Sequence, residues 1–455
     1  MHDHGRRRRL RSQLRRLLRQ SQWRQEVFRT NLWLVPAIEV VAAAILFAGT
    51  YALDRASYAG VFTVPGWAIS GGPDVARTVL TAIAAAVITV VGVVFSIVIV
   101  ALTLTSTQFG PRMLRNFIRD RGTQITLGTY VATFVYAVLT LGSVGQGEHG
   151  AFVPHISVTM TLVLMLADLA VLIYFLNHIS RQIQLPEVIA SIAGDLQQAI
   201  ELQAGDAVGG ADAQDAAALV ADMAGRGGGV TAPRSGYLQY VEHELLVAIG
   251  AEVDAVIHVL FRPGHFIVAG QQYAAVWPAE AASVVARELA RAHVTGPYRT
   301  LAQDVSFGLD QLVEICIRAL SAAVNDTFTA LTCIDWIGDS LCKVAGRWQP
   351  TRVYRDSRGV VRVIVTETTW ERLVRRAFEK VRQAAPGMPA VLIRQLDALA
   401  KIMERTTTAR DRQVLLDQAA MIERLSATTV AEPADRADVT RAYEQVLAAQ
   451  PSRPG

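Results

Sequence analysis

The chain has 455 residues, of which 51% are hydrophobic and 18% charged, and its formal net charge is only +4. This balance suits a protein that is part membrane-embedded and part water-facing. Cys316, Cys333 and Cys342 are an odd number of cysteines without C-x-x-C spacing. That pattern argues against a disulfide framework or a zinc site, and it indicates buried, reduced thiols.

Residues 1–31 form a basic segment in which leucines recur at helical spacing. The pattern predicts a basic amphipathic helix suited to anionic lipid headgroups. Nucleic-acid binding is a competing interpretation of such a segment. A membrane span follows directly, so we favour lipid and expect no nucleic-acid partner. A solvated tail that only sets the membrane topology is a further alternative.

Four apolar segments, each about as long as a bilayer-spanning helix, follow this tail. The second is the most clearly defined of the four, because residues 78–104 carry no charge. The first is not a cleavable signal peptide, since the charged region before it is too long and no small-residue cleavage site is evident. The predicted spans are about 32–53, 76–105, 125–144 and 156–176.

Charges in the loops predict how the chain crosses the bilayer. Arginines are concentrated in the N-terminal tail and in the loop 112–121, whereas the loops 54–74 and 145–155 are poor in positive charge. Under the positive-inside rule, the two basic segments lie in the cytoplasm. The sequence therefore predicts a multi-pass protein of the cell inner membrane, with both termini and everything after His178 on the cytoplasmic side.

Beyond the membrane, the sequence pattern changes twice. Residues 181–229 are predicted to be a helical connector that ends in a flexible Gly-rich linker, GRGGG. β-branched runs and a Pro-Gly turn predict a small β-containing domain over residues 230–299. Residues 300–455 are predicted to be mostly helical, with one isolated strand or hairpin arm at Val360–Thr366. The fold class is thus membrane α-helical with four transmembrane helices, followed by a cytoplasmic α+β region that contains a small β-domain and a helical bundle.

Two patterns in the cytoplasmic region carry a family resemblance. One is DxxFGxxQL followed by RALSxxxNDxxTA, over residues 304–330. The other is GYLQ at residues 236–239, with PGHF at residues 263–266 and a later Gly270. Together with four N-terminal spans, they resemble the bacterial family of predicted membrane proteins called domain of unknown function 2254. The resemblance covers most of the chain and implies this architecture, and it brings no established activity.

Two carboxylates lie inside predicted spans, Glu39 in the first and Asp168 near the centre of the fourth. A charged group at mid-bilayer costs about 2.5–3.5 kcal/mol, so such residues usually face a bundle interior or a water-filled path. One interpretation is that Asp168, with or without Glu39, forms a polar site for protons or cations. The alternative is that each is protonated or bonded to a hydroxyl of a neighbouring helix.

A second group of polar residues follows residue 300. Either these residues form a cluster that binds a ligand or an assembly partner, or Asn325 or Asp326 caps the helix that contains residues 329–341. Their spacing matches no metal-ligand motif, so we expect no metal site and no cofactor. The group consists of Asp304, Asp310, Glu314, Arg318, Asn325 and Asp326.

No catalytic motif is evident, which makes an enzyme the weakest interpretation. The first hypothesis is a homo-oligomeric channel or transport-type protein, because four spans per subunit are few for a secondary transporter and several subunits around a pore would use them better. The second span would line that pore through Ser96, Thr103 and Thr107. The alternative is a membrane-anchored scaffold or sensor whose cytoplasmic domain binds a partner or a small ligand.

Overall fold

The computed structural model describes residues 33–63, 71–109, 120–147, 150–204, 210–223, 225–348 and 351–449. The predicted lipid-binding tail at 1–31 and most of the basic loop 112–121 therefore lie outside the described residues. The chain divides into two compact units, Met1–Gln184 and Leu185–Gly455. We call them the membrane unit and the second unit.

The membrane unit contains helices that are long and apolar enough to cross a bilayer. They are α1 (Leu34–Tyr58), α2 (Pro73–Phe109), α3 (Arg121–Ser143) and α4 (His155–Gln182). A short hairpin of β1 (Gly145–Gly147) and β2 (Gly150–Phe152) lies between α3 and α4. Four apolar helices thus lie where the four spans are predicted, and α1, α2 and α4 extend beyond the predicted 32–53, 76–105 and 156–176.

A buried polar network joins three of these helices. α3 is the most enclosed of the four and contacts the other three. The carboxylate of Asp54 in α1 accepts hydrogen bonds from the backbone N–H groups of Ile156 and Ser157, at 2.8 and 3.0 Å. On the same network, the hydroxyl of Thr50 lies 2.7 Å from Tyr136 Oη. Because the first N–H groups of a helix lack intrahelical partners, Asp54 satisfies the start of α4 and holds α1 against it.

The described part of the second unit combines helices with two small sheets. Its helices are α5 (Leu185–Ala204), α6 (Gly210–Met223), α7 (His243–Glu252), α8 (Ala282–Ala292), α9 (Val305–Ala319), α10 (Thr327–Val344), α11 (Trp370–Gln383), α12 (Pro389–Met403), α13 (Ala409–Thr429) and α14 (Pro433–Ala448). Its strands are β3 (Gly228–Thr231), β4 (Gly236–Val241), β5 (Val256–Val259), β6 (Phe266–Ile267), β7 (Gln272–Trp277), β8 (His293–Gly296), β9 (Thr351–Arg355) and β10 (Val361–Thr366). The predicted connector is helical, and its helix α5 packs against α9 and α10.

One sheet has the strand order β3-β7-β5-β10-β9, and the other has the order β6-β4-β8. In the first sheet, β10 pairs in parallel with β5 and antiparallel with β9. The strand predicted at Val360–Thr366 is therefore a hairpin arm, but the prediction that it is isolated is wrong. All but its last residue are buried, which suits the β-branched run of a strand that is paired on both sides. The sheet thus takes strands from both sides of residue 300.

The Gly-rich segment does not end as a flexible linker. Its last glycines begin β3, where Gly228 pairs with Val276 of β7. A Cβ on Gly228 would lie too close to Ala282 and to the backbone of Ala279. Glycine here permits a strand to approach its neighbour closely, and the prediction of a flexible linker is wrong at this point.

Candidate functional site

The two intramembrane carboxylates bond to hydroxyls of the same helix, α3. Asp168 Oδ1 accepts a hydrogen bond from Thr133 Oγ1 at 3.1 Å, and the Asp168 side chain is buried. Glu39 Oε2 accepts one from Thr129 Oγ1 at 3.3 Å. Thr129 and Thr133 are one turn apart, so α3 serves as the common hydrogen-bond donor for α1 and α4. The structure therefore shows the hydroxyl contacts that the alternative interpretation predicts.

These contacts do not account for a charged Asp168. A hydrogen bond between membrane helices contributes about 0.6 kcal/mol on average. A charged group at the centre of a span costs about 2.5–3.5 kcal/mol on insertion scales. Asp168 Oδ2 is buried and has no hydrogen-bond partner among the described residues. A role for Asp168 as a proton or cation site stays a prediction.

The outward face of α2 carries the predicted pore residues. Val87, Val94 and Ala101 are buried against α3 and α4. Ser96 and Thr103 are exposed, about half a turn away from that buried face. Thr103 Oγ1 donates to its own helix at Ile99 O, 2.9 Å away. The side chain of Thr107 lies outside the described residues.

Around Ser96, the face opposite the buried one carries small or hydroxyl-bearing residues at helical spacing, with the exposed side chains of Val93, Ile99 and Val100 at its edges. The exposed residues of this small and hydroxyl-bearing strip are Thr78, Ala85, Thr89, Gly92, Ser96 and Thr103. Thr78 and Thr89 also donate to backbone carbonyls of their own helix, at 2.7 Å each. The hydroxyls of Thr78, Thr89 and Thr103 are thereby bonded within α2, and these small residues present little side-chain bulk to their surroundings.

A half-buried arginine, Arg299, organises the predicted polar group of the second unit. Arg299 Nη2 lies 2.7 Å from Asp304 Oδ2, and its Nη1 lies 2.5 Å from Asp310 Oδ2. Arg376 of α11 contacts the other oxygen of Asp310 at 3.1 Å. The Asp304 side chain is only 3% exposed, and it also accepts a hydrogen bond from Phe307 N at the start of α9. This Arg299 cluster joins the loop before α9 to α11.

The predicted group of six does not form one cluster. Asp304 lies at the start of α9, whereas Asn325 and Asp326 follow its end, a distance of about 20 Å at 1.5 Å per residue. The predicted cap is confirmed for Asp326, which accepts hydrogen bonds from Thr329 and has a lowered pKa because of them. Asn325 has a positive φ of 50° in the turn that precedes α10. Asp304 and Asp310 are brought together through Arg299.

The patterns that carry the family resemblance meet at this cluster. Gly264 N–H donates to Leu238 O at 2.8 Å, and Leu238 N–H donates to His265 O at 2.9 Å. Gly264 has a φ of +92°, and a Cβ there would overlap the carboxylate of Asp304. These contacts therefore fix the position of the Pro-Gly turn relative to β4 and to the start of α9.

Sequence reasoning missed the arginines of this site. Arg299, Arg262 and Arg376 come from a loop, a turn and a helix that are far apart in sequence. Two of these arginines lie next to motifs that the sequence shows. Arg262 directly precedes the Pro-Gly turn, and Arg299 lies five residues before Asp304. Arg376, on a surface-like amphipathic helix, carries no such signal.

The pKa of His265 shows that the site has a positive electrostatic potential. Its pKa is lowered to about 4 by burial and then by the positive charges of Arg262, Arg372, Arg299 and Arg376. The pKa of Arg262 is also lowered, chiefly by burial, although Asp304 and Glu367 oppose that shift. The imidazole is therefore neutral at physiological pH and lies in a positive potential.

We expect the second unit to lose stability as the pH falls from about 6.5, the ordinary pKa of histidine, to about 4, the pKa of His265 in the fold. In that window the unfolded chain binds a proton that the folded chain does not, so stability increases with pH. His265→Gln, which does not titrate, should flatten this part of the curve. Thermal unfolding of both proteins across the window measures the difference, and identical pH profiles would contradict the assignment.

The comparisons with known proteins agree with this architecture. The family described as "Predicted membrane protein (DUF2254)" matches residues 29–401. An uncharacterized protein of Mycobacterium bovis is 30% identical over 377 residues, which cover 81% of this chain and 71% of the relative. An uncharacterized protein of Mycobacterium tuberculosis strain H37Rv is similar to the same extent. No solved structure matches the chain.

Proposed function

The chain belongs to the DUF2254 family of predicted membrane proteins, and from that premise we propose that it is a homo-oligomeric, channel-type protein of the cell inner membrane. The observation that supports this proposal is the small and hydroxyl-bearing strip on the outward face of α2. Small residues let membrane helices approach closely, whereas a lipid-facing surface gains nothing from them. The strip therefore suits a place where copies of α2 meet around an axis, with its hydroxyls facing the path between them.

The length of α2 suits a pore-lining role. Its 37 residues extend about 55 Å at 1.5 Å per residue, and a bilayer core of about 30 Å needs only about 20 residues. Several copies of α2 around an axis would line a path with the hydroxyls of Ser96 and Thr103, followed by Thr107. In this arrangement Asp168 and Glu39 remain inside each subunit, as a polar site for protons or cations.

The topology that goes with this proposal follows the charges of the loops. Both termini and the second unit lie in the cytoplasm, and the arginines of residues 1–31 bind anionic lipid headgroups. Each subunit then presents its second unit as a cytoplasmic regulatory domain.

Cysteine substitutions test whether α2 faces water. Ser96→Cys and Thr103→Cys, reconstituted in liposomes, should react with a membrane-impermeant thiol reagent, and the reagent should reduce the conductance. Cys342 should first be replaced by alanine because it is the one native thiol among the described residues that is not fully buried. The reaction rates and single-channel currents are the measurements.

Phe95→Cys and Ile88→Cys are matched controls, because both residues are exposed on α2 but lie toward the side of the strip. In lipid, these thiols should react slowly and leave any current unchanged. Equal reactivity at all four positions, or no current from any variant, would contradict the pore.

A membrane-anchored sensor is the second candidate function. The observation that favours it is the meeting of the GYLQ, PGHF and DxxFGxxQL patterns at the Arg299 cluster, within the second unit. Such a protein would bind a small ligand or partner at that cluster. It would need no opening through the membrane unit.

A further inference from the structure

The turn that carries Arg262 is held in place by backbone hydrogen bonds. His265 N–H donates to Arg262 O at 3.2 Å, which closes the turn between β5 and β6. Gly264 N–H and His265 O are both bonded to Leu238 of β4. Gly264 also packs against the carboxylate of Asp304. The backbone of Arg262 is therefore fixed beside the Arg299 cluster before any ligand arrives.

The carboxylates near Arg262 already pair with other arginines. Asp304 pairs with Arg299, and Asp310 pairs with Arg299 and Arg376. Glu367 lies 3.9 Å from Arg352, and both of these side chains are buried. Each of these three acidic groups thus lies within 4 Å of an arginine, and Asp304 and Asp310 share Arg299.

Two arginines are left over. Among the described residues, no carboxylate lies within ion-pair distance of Arg262 or Arg372. From farther away Asp304 and Glu367 attract Arg262, while Arg372 and Arg376 repel it less strongly. Arg262 is half-buried, and Arg372 is exposed in the first turn of α11. The region holds five arginines, at positions 262, 299, 352, 372 and 376, against three carboxylates. Like charges gathered in this way oppose folding unless an anion joins them.

We propose that Arg262 and Arg372 bind the phosphate group of a small anionic ligand beside His265. A phosphate dianion balances the two surplus charges, and the planar guanidinium group matches its oxygens with two parallel hydrogen bonds. The neutral imidazole of His265 supplies a further hydrogen-bonding group at the same turn. This inference concerns the second unit, and it deepens the sensor proposal without depending on the pore.

Binding of inorganic pyrophosphate to the full chain in phosphatidylcholine nanodiscs tests the proposal. Calorimetric titration should show binding that weakens with salt, because the contact is electrostatic. Arg262→Gln and Arg372→Gln should each weaken it about tenfold or more, since each removes charge-assisted hydrogen bonds. Arg375→Gln is the matched control, because Arg375 lies on the same helix in an exposed pair with Glu371.

The ligand-free variants distinguish a binding role from a structural one. If Arg372 is held for a ligand, Arg372→Gln relieves its repulsion of Arg262 and should unfold at the same temperature as the parent chain, or higher. Arginines that stabilise the fold would instead lower the unfolding temperature when replaced. A lower unfolding temperature together with unchanged pyrophosphate binding would overturn the proposal.

A lipid headgroup is the other source of the same phosphate chemistry, and nanodiscs that contain phosphatidylglycerol identify it. If the headgroup is the ligand, phosphatidylglycerol should raise the unfolding temperature of the parent chain and of Arg375→Gln, but not of Arg262→Gln or Arg372→Gln. Pyrophosphate binding in phosphatidylcholine with no such lipid effect assigns a soluble ligand. Absence of both effects overturns the inference and leaves the conductance test of α2 unaffected.

Discussion

Replacing Asp304 by alanine should lower the free energy of unfolding of the second unit by about 3–5 kcal/mol, the usual cost of removing one partner of a buried ion pair. Asp304 is 3% exposed, and it accepts hydrogen bonds from Arg299 Nε and Nη2, at 2.8 and 2.7 Å. The substitution leaves the half-buried Arg299 with Asp310 as its remaining close carboxylate. It also removes the cap of α9, whose loss alone costs about 1 kcal/mol.

Asp335→Ala is the control for this prediction. Asp335 forms an ion pair with Arg394 at 3.2 Å, but both side chains are exposed by more than a third. Exposed pairs of this kind contribute about 0–1 kcal/mol. Urea unfolding followed by tryptophan fluorescence compares the two variants, since Trp348 and Trp370 both lie in the second unit. Equal losses of stability would show that the Arg299 cluster is not a buried ion-pair network.

Replacing Gly264 by alanine should destabilise the second unit by about 3 kcal/mol or more. A non-glycine residue at a strained backbone conformation costs about 1–3 kcal/mol, and the φ of Gly264 is +92°. The added methyl group would also push the Asp304 carboxylate away from Arg299. The two costs add, because one acts on the backbone and the other on the ion pair.

Gly270→Ala separates these two costs. Gly270 has a similar φ of +81°, but a Cβ at that position would meet nothing within 4 Å. Its replacement should cost only about 1–2 kcal/mol, the strain of a left-handed conformation. The double variant Gly264→Ala with Asp304→Ala should lose less than the sum of the single losses, since both changes act on one contact. Losses that add fully would place Gly264 and Asp304 in separate interactions.

The membrane helices could be predicted from the sequence because the bilayer imposes a length and a composition on them. A run without charge from residue 78 to residue 104 permits few other structures in lipid, since each backbone group must be satisfied within its own segment. The helix ends were less predictable. α4 continues to Gln182, where polar residues replace the apolar pattern without stopping the helix.

The sheets and the Arg299 cluster depend on contacts that are distant in sequence. β5 and β10 pair in parallel although about 100 residues separate them, and neither segment carries a local signal for that partner. One interpretation of the sequence places the polar residues around α9 in one group, but that helix separates Asp304 at its start from Asp326 beyond its end. Spacing along a chain predicts which residues share a helix face, and it does not show which loops meet there.

The cap of α10 shows where local chemistry is sufficient. An Asn-Asp pair within an apolar run predicts a helix start, and Asp326 accepts the expected hydrogen bond from Thr329 N at 3.1 Å. The hydrogen bond joins residues only three apart, so the local capping preference is sufficient to account for it.

The oligomeric state of the full chain in nanodiscs tests the central proposal most directly. Mass photometry combined with electron-microscopy class averages gives both the number of subunits and the arrangement of the spans. The proposal predicts a closed ring of several subunits with α2 of each subunit around a central axis. A monomer, or a dimer without an axial opening, would contradict it and would leave the sensor function as the better account of the second unit.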